Sequence, residues 1–105
     1  MKARPLKRTP VGYSLCAPGE ATHVLLSVPG PFPNRILPVR GHYTGREPSW
    51  EWNGDTDRPT LNPSILTWSD QARCHSYVRD GRVQFLPDST HEFARQTVDL
   101  LEVEP

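Results

Sequence analysis

The sequence predicts a mainly β, single-domain fold: a small antiparallel sheet, or a partly open barrel or sandwich. Three observations predict it. The 105 residues include 12 prolines and 7 glycines, which interrupt regular structure too often for a helical bundle. Short runs of β-branched, aromatic and alternating residues recur between turn signals. One of these signals, Asp80-Gly81, is typical of a two-residue hairpin loop.

The first half of the chain is predicted to hold an arm, two strands and a long loop. Residues 1–10 carry four basic side chains and no acid, so we expect a basic flexible arm, with residues 11–105 as a single β-rich domain. Strands are expected at Val11–Cys16 and Thr22–Val28. The proline-rich segment Pro29–Pro48 is expected to be a partly extended loop, with a short strand near residues 39–43.

The second half is predicted to be a run of antiparallel strands. Trp50-Glu51-Trp52 alternates, and Asn53-Gly54 supplies a turn after it. One short helix or turn is expected near residues 88–95, because Asp88 or Ser89 can cap it. The remaining predicted strands are Ser64–Trp68, Arg73–Arg79, Arg82–Leu86 and Gln96–Leu100.

The Asp80-Gly81 loop fixes the register of its hairpin, in which Val78 is expected opposite Val83 and Arg79 opposite Arg82. Because side chains alternate along a strand, the hairpin has two distinct faces. The face expected in the core carries Cys74, Ser76, Val78, Val83 and Phe85. The polar face carries His75, Tyr77, Arg79, Arg82 and Gln84.

Composition excludes several classes of function. Twelve basic and 12 acidic residues give a net charge of zero, which argues against binding bulk nucleic acid through phosphates. No apolar run approaches the roughly 18 residues of a membrane span. No stretch of signal-peptide type follows the basic start, so a cytoplasmic location is expected. Cys16 and Cys74 are then expected to be reduced, although the sequence also permits one disulfide between them.

Two groups of residues resemble catalytic triads on paper. Nucleophilic catalysis requires a serine or cysteine beside a base and an orienting group. Ser64, His75 and Asp55 form one such set. Cys74, His91 and Asp88 form another. A short chain offers many such combinations, and no G-x-S-x-G motif distinguishes one, so no catalytic residue is assigned.

Candidate metal ligands are Cys16, His23, Cys74, His75 and His91. Zinc sites commonly include a C-x-x-C pair, and the chain has none. Adjacent residues of a regular strand also point to opposite faces, which separates Cys74 from His75. No bound metal or other cofactor is therefore expected.

A ligand-binding patch is expected where polar and aromatic residues are dense. The loops around Trp52-Asn53-Gly54-Asp55 and Pro59–Ser64 precede the hairpin directly, and consecutive strands are usually neighbours. Indole, amide and guanidinium groups suit an anionic ring-bearing ligand or an acidic protein loop. The alternative is that Asn53 and Asp55 only cap their own turn. The candidate binding residues are Trp52, Asn53, Asp55, Arg58, Thr60, Ser64, His75, Tyr77, Arg79, Gln84 and His91.

Several motifs occur in an order that resembles a known family. They are Trp52-Asn53-Gly54-Asp55, Pro59-Thr60-Leu61-Asn62-Pro63-Ser64, Cys74-His75-Ser76-Tyr77-Val78-Arg79-Asp80-Gly81, Asp88-Ser89-Thr90-His91 and Gln96-Thr97-Val98. This order is similar to that of a family of small phage and prophage proteins of unknown function, some of which are labelled "ammonia monooxygenase". The resemblance covers roughly residues 50–100 and is looser over residues 16–23. It implies a phage or prophage origin.

The family pattern includes four cysteines, which imply a zinc site. This chain has Gly19 and Ser89 at two of those four positions. The loss of two thiolates is expected to weaken zinc binding greatly, so the resemblance implies a degenerate zinc site here. If this site still held zinc, the expected ligands would be Cys16, His23, Cys74 and His91.

These observations together lead to the hypothesis of a small phage-type binding protein acting inside the bacterial host cell. Its expected partner is a host protein or a small anionic, nucleotide-like ligand, which it would inhibit or sequester. One alternative is a zinc-dependent hydrolase-like enzyme using Cys74, His75 and His91. A second alternative is a structural phage component. The oligomeric state is left open.

Overall fold

The computed structural model describes residues 1–103, and its architecture is mainly β. Within these residues, nine strands form two antiparallel sheets, which remain open at their edges. The first sheet has the order β2-β1-β3-β4 and the second the order β5-β6-β7-β8-β9. The strands are β1 (Ala3–Thr9), β2 (Gly12–Leu15), β3 (His23–Ser27), β4 (Asn34–Pro38), β5 (Glu51–Trp52), β6 (Leu61–Trp68), β7 (Arg73–Arg79), β8 (Arg82–Phe85) and β9 (Thr97–Asp99).

The hairpin prediction is confirmed in register and in orientation. Val78 pairs with Val83 and Arg79 with Arg82. Asp80 and Gly81 both have positive φ, at 52° and 77°, as a type I′ turn requires. Phe85 is 1% exposed, so the expected core face does lie inside. Residues 88–95 form turns with no helical segment.

Two local expectations from the sequence are wrong. Residues 3–9, which were expected to belong to a flexible arm, form β1, a central strand of the first sheet. Ala3, Pro5 and Leu6 are buried while Lys7 and Arg8 are exposed, so buried apolar residues lie among the basic residues of the predicted arm. The long loop from residue 29 to residue 48 contains β4 instead of a strand near 39–43. The proline-rich segment before β4 is not typical of a strand, although β4 pairs with β3 along its whole length.

Both sheets contribute to one apolar core. The buried cluster combines Val24 and Leu26 of the first sheet with Ile65, Val83 and Phe85 of the second. The sheets also meet through the backbone, because Trp50 forms a parallel bridge with Val39 just before β5 begins. The part of the chain that the structure describes contains no helix with the length and apolar character to cross a membrane.

Candidate active site

Three side chains form a continuous hydrogen-bonded chain on the outer face of the second sheet. His75 Nε2 lies 3.0 Å from Ser64 Oγ. His75 Nδ1 lies 3.1 Å from Asp88 Oδ1 and 3.0 Å from Asp88 Oδ2. A carboxylate only accepts hydrogen bonds, so Nδ1 carries the proton that it donates to Asp88. Nε2 is then free to accept the hydroxyl proton of Ser64, which is the arrangement of a Ser-His-Asp triad.

Strand pairing places the serine beside the histidine. In the β6–β7 ladder Leu66 pairs with His75, so Ser64 is the diagonal neighbour on the same face. The register shifts between Leu61 and Ile65, and such irregularities commonly redirect a side chain next to an active site. The indole Nε1 of Trp50 donates to the carbonyl oxygen of Ser64 at 3.2 Å, which holds this irregular backbone in place.

The loop that carries Asp88 is bound to β7 on both sides of the carboxylate. Ser89 is buried, and its hydroxyl accepts from the backbone N–H of His75 at 3.0 Å and donates to the carbonyl of His75 at 3.1 Å. Thr90 Oγ1 accepts from the N–H of Arg73 at 2.9 Å. The backbone N–H of Leu86 donates to the carbonyl of His75 at 2.8 Å. Asp88 is therefore fixed opposite the imidazole by the loop backbone.

The electrostatics of the site keep Asp88 ionised. Burial works to raise the pKa of Asp88, but the hydrogen bond and charge of His75, with the charge of Arg73, hold it below its usual value. Arg73 Nε lies 3.2 Å from Asp88 Oδ2. The His75 side chain is 25% exposed, so the imidazole is ordered yet reachable from solvent. The carboxylate is thus charged at neutral pH and available to orient and stabilise the imidazole.

Asp55, the carboxylate considered beside Ser64 and His75 from the sequence, serves its own loop. Its Oδ1 accepts from the backbone N–H groups of Asp57 and Arg58 at 2.8 and 2.9 Å. These hydrogen bonds, that of Arg58 first, lower the pKa of Asp55. Asn53 Oδ1 similarly accepts from the N–H groups of Asp55 and Thr60. Both side chains cap the loop between β5 and β6, in agreement with the alternative interpretation of these residues.

The other candidate residues near this loop also make structural contacts. Trp52 Nε1 donates to the carbonyl of Asp55 at 3.2 Å. Arg58 forms an ion pair of 2.8 Å with Asp80 in the hairpin turn. Thr60 Oγ1 accepts from the backbone N–H of Asp80 at 2.9 Å. These contacts fasten the loop to the hairpin.

On the polar face of the hairpin, the guanidinium of Arg79 lies 4.2 Å from the ring centroid of Tyr77. Gln84 pairs with Tyr77 across the strands and is exposed.

Of the eleven candidate binding residues, the structure joins Ser64 to His75 directly through their side chains. It adds Asp88, which the sequence reasoning had grouped with Cys74 and His91. The hairpin register is the signal that could have linked Asp88 to His75, because it places Leu86, two residues before Asp88, opposite His75.

The residues suggested for a metal centre are dispersed. Cys74 is buried and free, and its sulfur lies 3.0 Å from Arg35 Nη2. His91 packs edge-on against Phe85, and its Nδ1 accepts from the N–H of Phe93 at 3.2 Å. The pKa of His91 is lowered by burial and by the charge of Arg35. Within residues 1–103 no group of three or more His, Cys, Asp or Glu side chains is arranged to hold a metal ion.

Comparison with protein families gives one result, which agrees with this geometry. Residues 15–86 match a family described as "Bacterial ubiquitination-like system serine protease (BubE)". The matched segment is about two thirds of the chain and contains Ser64 and His75. The chain belongs to the BubE family. No curated protein and no solved structure matches it.

Membership of the BubE family corrects the functional hypothesis drawn from the sequence. A phage-type inhibitor or sequestering protein was expected, and the family is described instead as a serine protease of a bacterial system. That expectation is therefore wrong. The motif resemblance to phage and prophage proteins pointed to a family without an activity, whereas the BubE description names one.

Proposed function

We propose that this chain is a serine protease in which Ser64 is the nucleophile, His75 the general base and Asp88 the residue that orients the base. The observation that carries the proposal is the chain of hydrogen bonds from Ser64 Oγ through both ring nitrogens of His75 to Asp88. A triad is recognised by this geometry and by its roles, whatever the order of its members in the sequence. The description of the BubE family supports the same activity.

The acylation step follows from the positions of these groups. Ser64 Oγ attacks the carbonyl carbon of the scissile amide while His75 Nε2 takes the hydroxyl proton. The ionised carboxylate of Asp88 stabilises the imidazolium that forms. When the carbon–nitrogen bond breaks, the imidazolium gives its proton to the leaving amine. The acyl group then remains as an ester on Ser64.

Deacylation uses the same base. A water molecule attacks the ester carbonyl while His75 Nε2 accepts a proton from it. The ester bond breaks, the proton passes to Ser64 Oγ, and the free carboxylic acid leaves. The partial exposure of His75, at 25% of its side chain, leaves room for that water.

The substrate we propose is a protein of a ubiquitination-like system, cleaved at a backbone or side-chain amide. The family description supports this class. The triad chemistry is the same for both kinds of amide, because each presents a carbonyl carbon and an amine leaving group.

A fluorophosphonate probe tests the proposal whatever the natural substrate is, because it reacts with activated serine hydroxyl groups in general. We expect intact-mass measurement to show one adduct on the wild-type chain and none on Ser64→Ala. Ser14→Ala, which removes an exposed serine of β2, is the matched control and should be labelled like the wild type. Labelling that persists in a folded Ser64→Ala variant, or is absent from the wild type, contradicts the proposed nucleophile.

A further inference from the structure

The strand that carries Ser64 has an open edge. β5 pairs with β6 only at Leu61 and Asn62, so the rest of β6 has no neighbour on that side within the described chain. The backbone of His75 is bonded away from β6, to Ser89 and Leu86. Its ladder partner Leu66 consequently directs its own N–H and C=O away from β7, because the direction of hydrogen bonds alternates along an antiparallel strand. Trp68 also directs its N–H and C=O away from β7, because its partner Arg73 is bonded to Thr90.

The last strand of the first sheet has an open edge as well. Val28 donates to the carbonyl of Pro33, and Val39 to that of Thr22. These bonds set the alternation of the β3–β4 ladder, in which the backbone groups of Asn34 and Ile36 face away from β3. Among residues 1–103 no hydrogen bond is made by those groups.

These two edges flank a single groove. It has a volume of about 470 Å³ and is lined by Phe32, Asn34 and Ile36 on the β4 side and by Thr67 on the β6 side. Trp50 connects the two edges near Ser64. The backbone N–H of Trp50 donates to Pro38 of β4 at 3.0 Å, and its indole donates to Ser64 of β6 at 3.2 Å. The groove therefore contacts β6 at Thr67, three residues from the proposed nucleophile on the same strand.

We propose that this groove, which we call the β4–β6 groove, binds an extended segment of the substrate as an added strand. The inference rests on the proposed protease function. An extended peptide recognises a sheet edge through main-chain hydrogen bonds, and here both walls present unpaired donors and acceptors. The bound segment would lie in line with β5. β5 lies between the two sheets directly after Trp50, and the segment would lie on the other side of Trp50.

The direction of the segment follows from strand polarity. β5 is antiparallel to β6, and antiparallel pairing is slightly more stable for each residue than parallel pairing. A segment that is antiparallel to β6 passes Trp68 first and Leu66 next, and its carboxyl end reaches Ser64. The groove thus holds the residues on the N-terminal side of the cleaved bond, and the carbonyl at their end is the one attacked.

The chemistry of the walls selects an uncharged, apolar segment. Ile36 is 44% exposed and Leu66 43% exposed at the two edges, and Phe32 adds a ring to the lining. Arg35 is the one charged residue in the lining, and it is buried with its Nε and Nη2 bonded to Phe32 and Cys74. Apolar side chains of a bound strand would cover the exposed aliphatic groups.

Two diphenyl phosphonate probes, which react covalently with an activated serine, separate the groove from the triad. One is acetyl-Val-Leu-Val-Ala phosphonate and the other is acetyl-Ala phosphonate, which lacks the three preceding residues. We expect the longer probe to modify the wild-type chain at least tenfold faster. N-methylation of the amide between leucine and the second valine of the longer probe should abolish this difference in rate, because it removes a main-chain donor. Equal rates for the two unmethylated probes would overturn the groove proposal.

Variants complete the test. Ile36→Asp places a charge on the β4 edge, and the ratio of the two rates should fall from at least tenfold towards one. Val11→Asp, at a residue 98% exposed and outside the groove, should retain the wild-type ratio. An unchanged ratio in a folded Ile36→Asp variant contradicts the groove. Failure of both probes and of the fluorophosphonate to react instead contradicts the protease function itself.

Discussion

Ser64 Oγ lies 3.0 Å from His75 Nε2, although the two residues are diagonal neighbours and not direct partners in the β6–β7 ladder. Diagonal side chains in a sheet start about 7–8 Å apart between their backbones, and an imidazole spans that gap. The serine and its base therefore depend on strand register. A shift of one residue in β6 would turn Ser64 to the opposite face of the sheet.

The first prediction compares two aspartates. Asp88→Asn should lower the rate of fluorophosphonate labelling about 10³–10⁴-fold, because an amide no longer holds the imidazole in the tautomer that accepts from Ser64. Asp55→Asn should keep labelling within about threefold of wild type and lower the melting temperature, since Asp55 accepts hydrogen bonds only from its own loop. Labelling rates and thermal melts of both variants check this. A larger rate loss in Asp55→Asn would restore the triad considered from the sequence.

The sequence predicts much of the second sheet because its signals are local. Asp80-Gly81 determines the turn, the turn determines the register, and the register determines which residues are buried. The pairing of Ser64 with His75 was also among the combinations considered. Asp88 was not assigned to them, because its position depends on Ser89 and Thr90 bonding to β7 from 14 and 17 residues away. Such contacts have no periodic pattern in the sequence.

The second prediction concerns β1, which the sequence reasoning treated as an arm. Ala3, the first residue of the inner strand β1, is fully buried at 0% exposure. Ala3→Asp should lower the free energy of unfolding by about 3 kcal/mol or more, because it buries an unpaired charge. Lys7→Asp, on the same strand but exposed, should change it by less than about 1 kcal/mol. Urea denaturation measures the free energy of unfolding of both variants. A loss in Ala3→Asp as small as that in Lys7→Asp would indicate that residues 1–9 do not contribute to the core.

The third prediction concerns Phe85, which is 1% exposed and packs against His91 and Phe93. Phe85→Ala should cost about 3–5 kcal/mol of unfolding free energy through lost burial and the cavity that remains. Leu101→Ala, at a residue 48% exposed, should cost under about 1 kcal/mol. Denaturation at neutral pH gives both values. A loss below about 1 kcal/mol in Phe85→Ala would mean that the hairpin face is not the core.

The fourth prediction concerns stability in weak acid. His23 is 2% exposed, and burial, followed by the charge of Arg8, lowers its pKa below the usual 6.5. The unfolded chain therefore binds a proton at a higher pH than the folded chain does. The contribution of neutral His23 to the free energy of unfolding is complete above about pH 6.5. It is lost as the pH falls towards the lowered pKa of the folded state. The urea midpoint should drop between pH 7.5 and 5.5.

The variant His23→Gln isolates that effect. Glutamine does not titrate, so the drop in urea midpoint between pH 7.5 and 5.5 should be smaller in His23→Gln than in the wild type. His42→Gln, which removes an exposed histidine, is the matched control. If the pH response of His23→Gln equals that of the wild type, the lowered pKa of His23 does not contribute to acid sensitivity.

The last prediction is that the purified chain contains no stoichiometric zinc and that labelling of Ser64 does not require a metal. Cys74 lies in the core with its sulfur 3.0 Å from Arg35, and a guanidinium at that distance opposes the approach of a cation. His75 faces outward and is bonded at both ring nitrogens to Ser64 and Asp88, so neither nitrogen is available as a ligand without breaking the triad. Elemental analysis should therefore find well under one zinc per chain, and fluorophosphonate labelling should proceed at the same rate with and without a chelator. One zinc per chain, lost together with labelling on chelation, would instead support the metal-dependent hydrolase considered from the sequence.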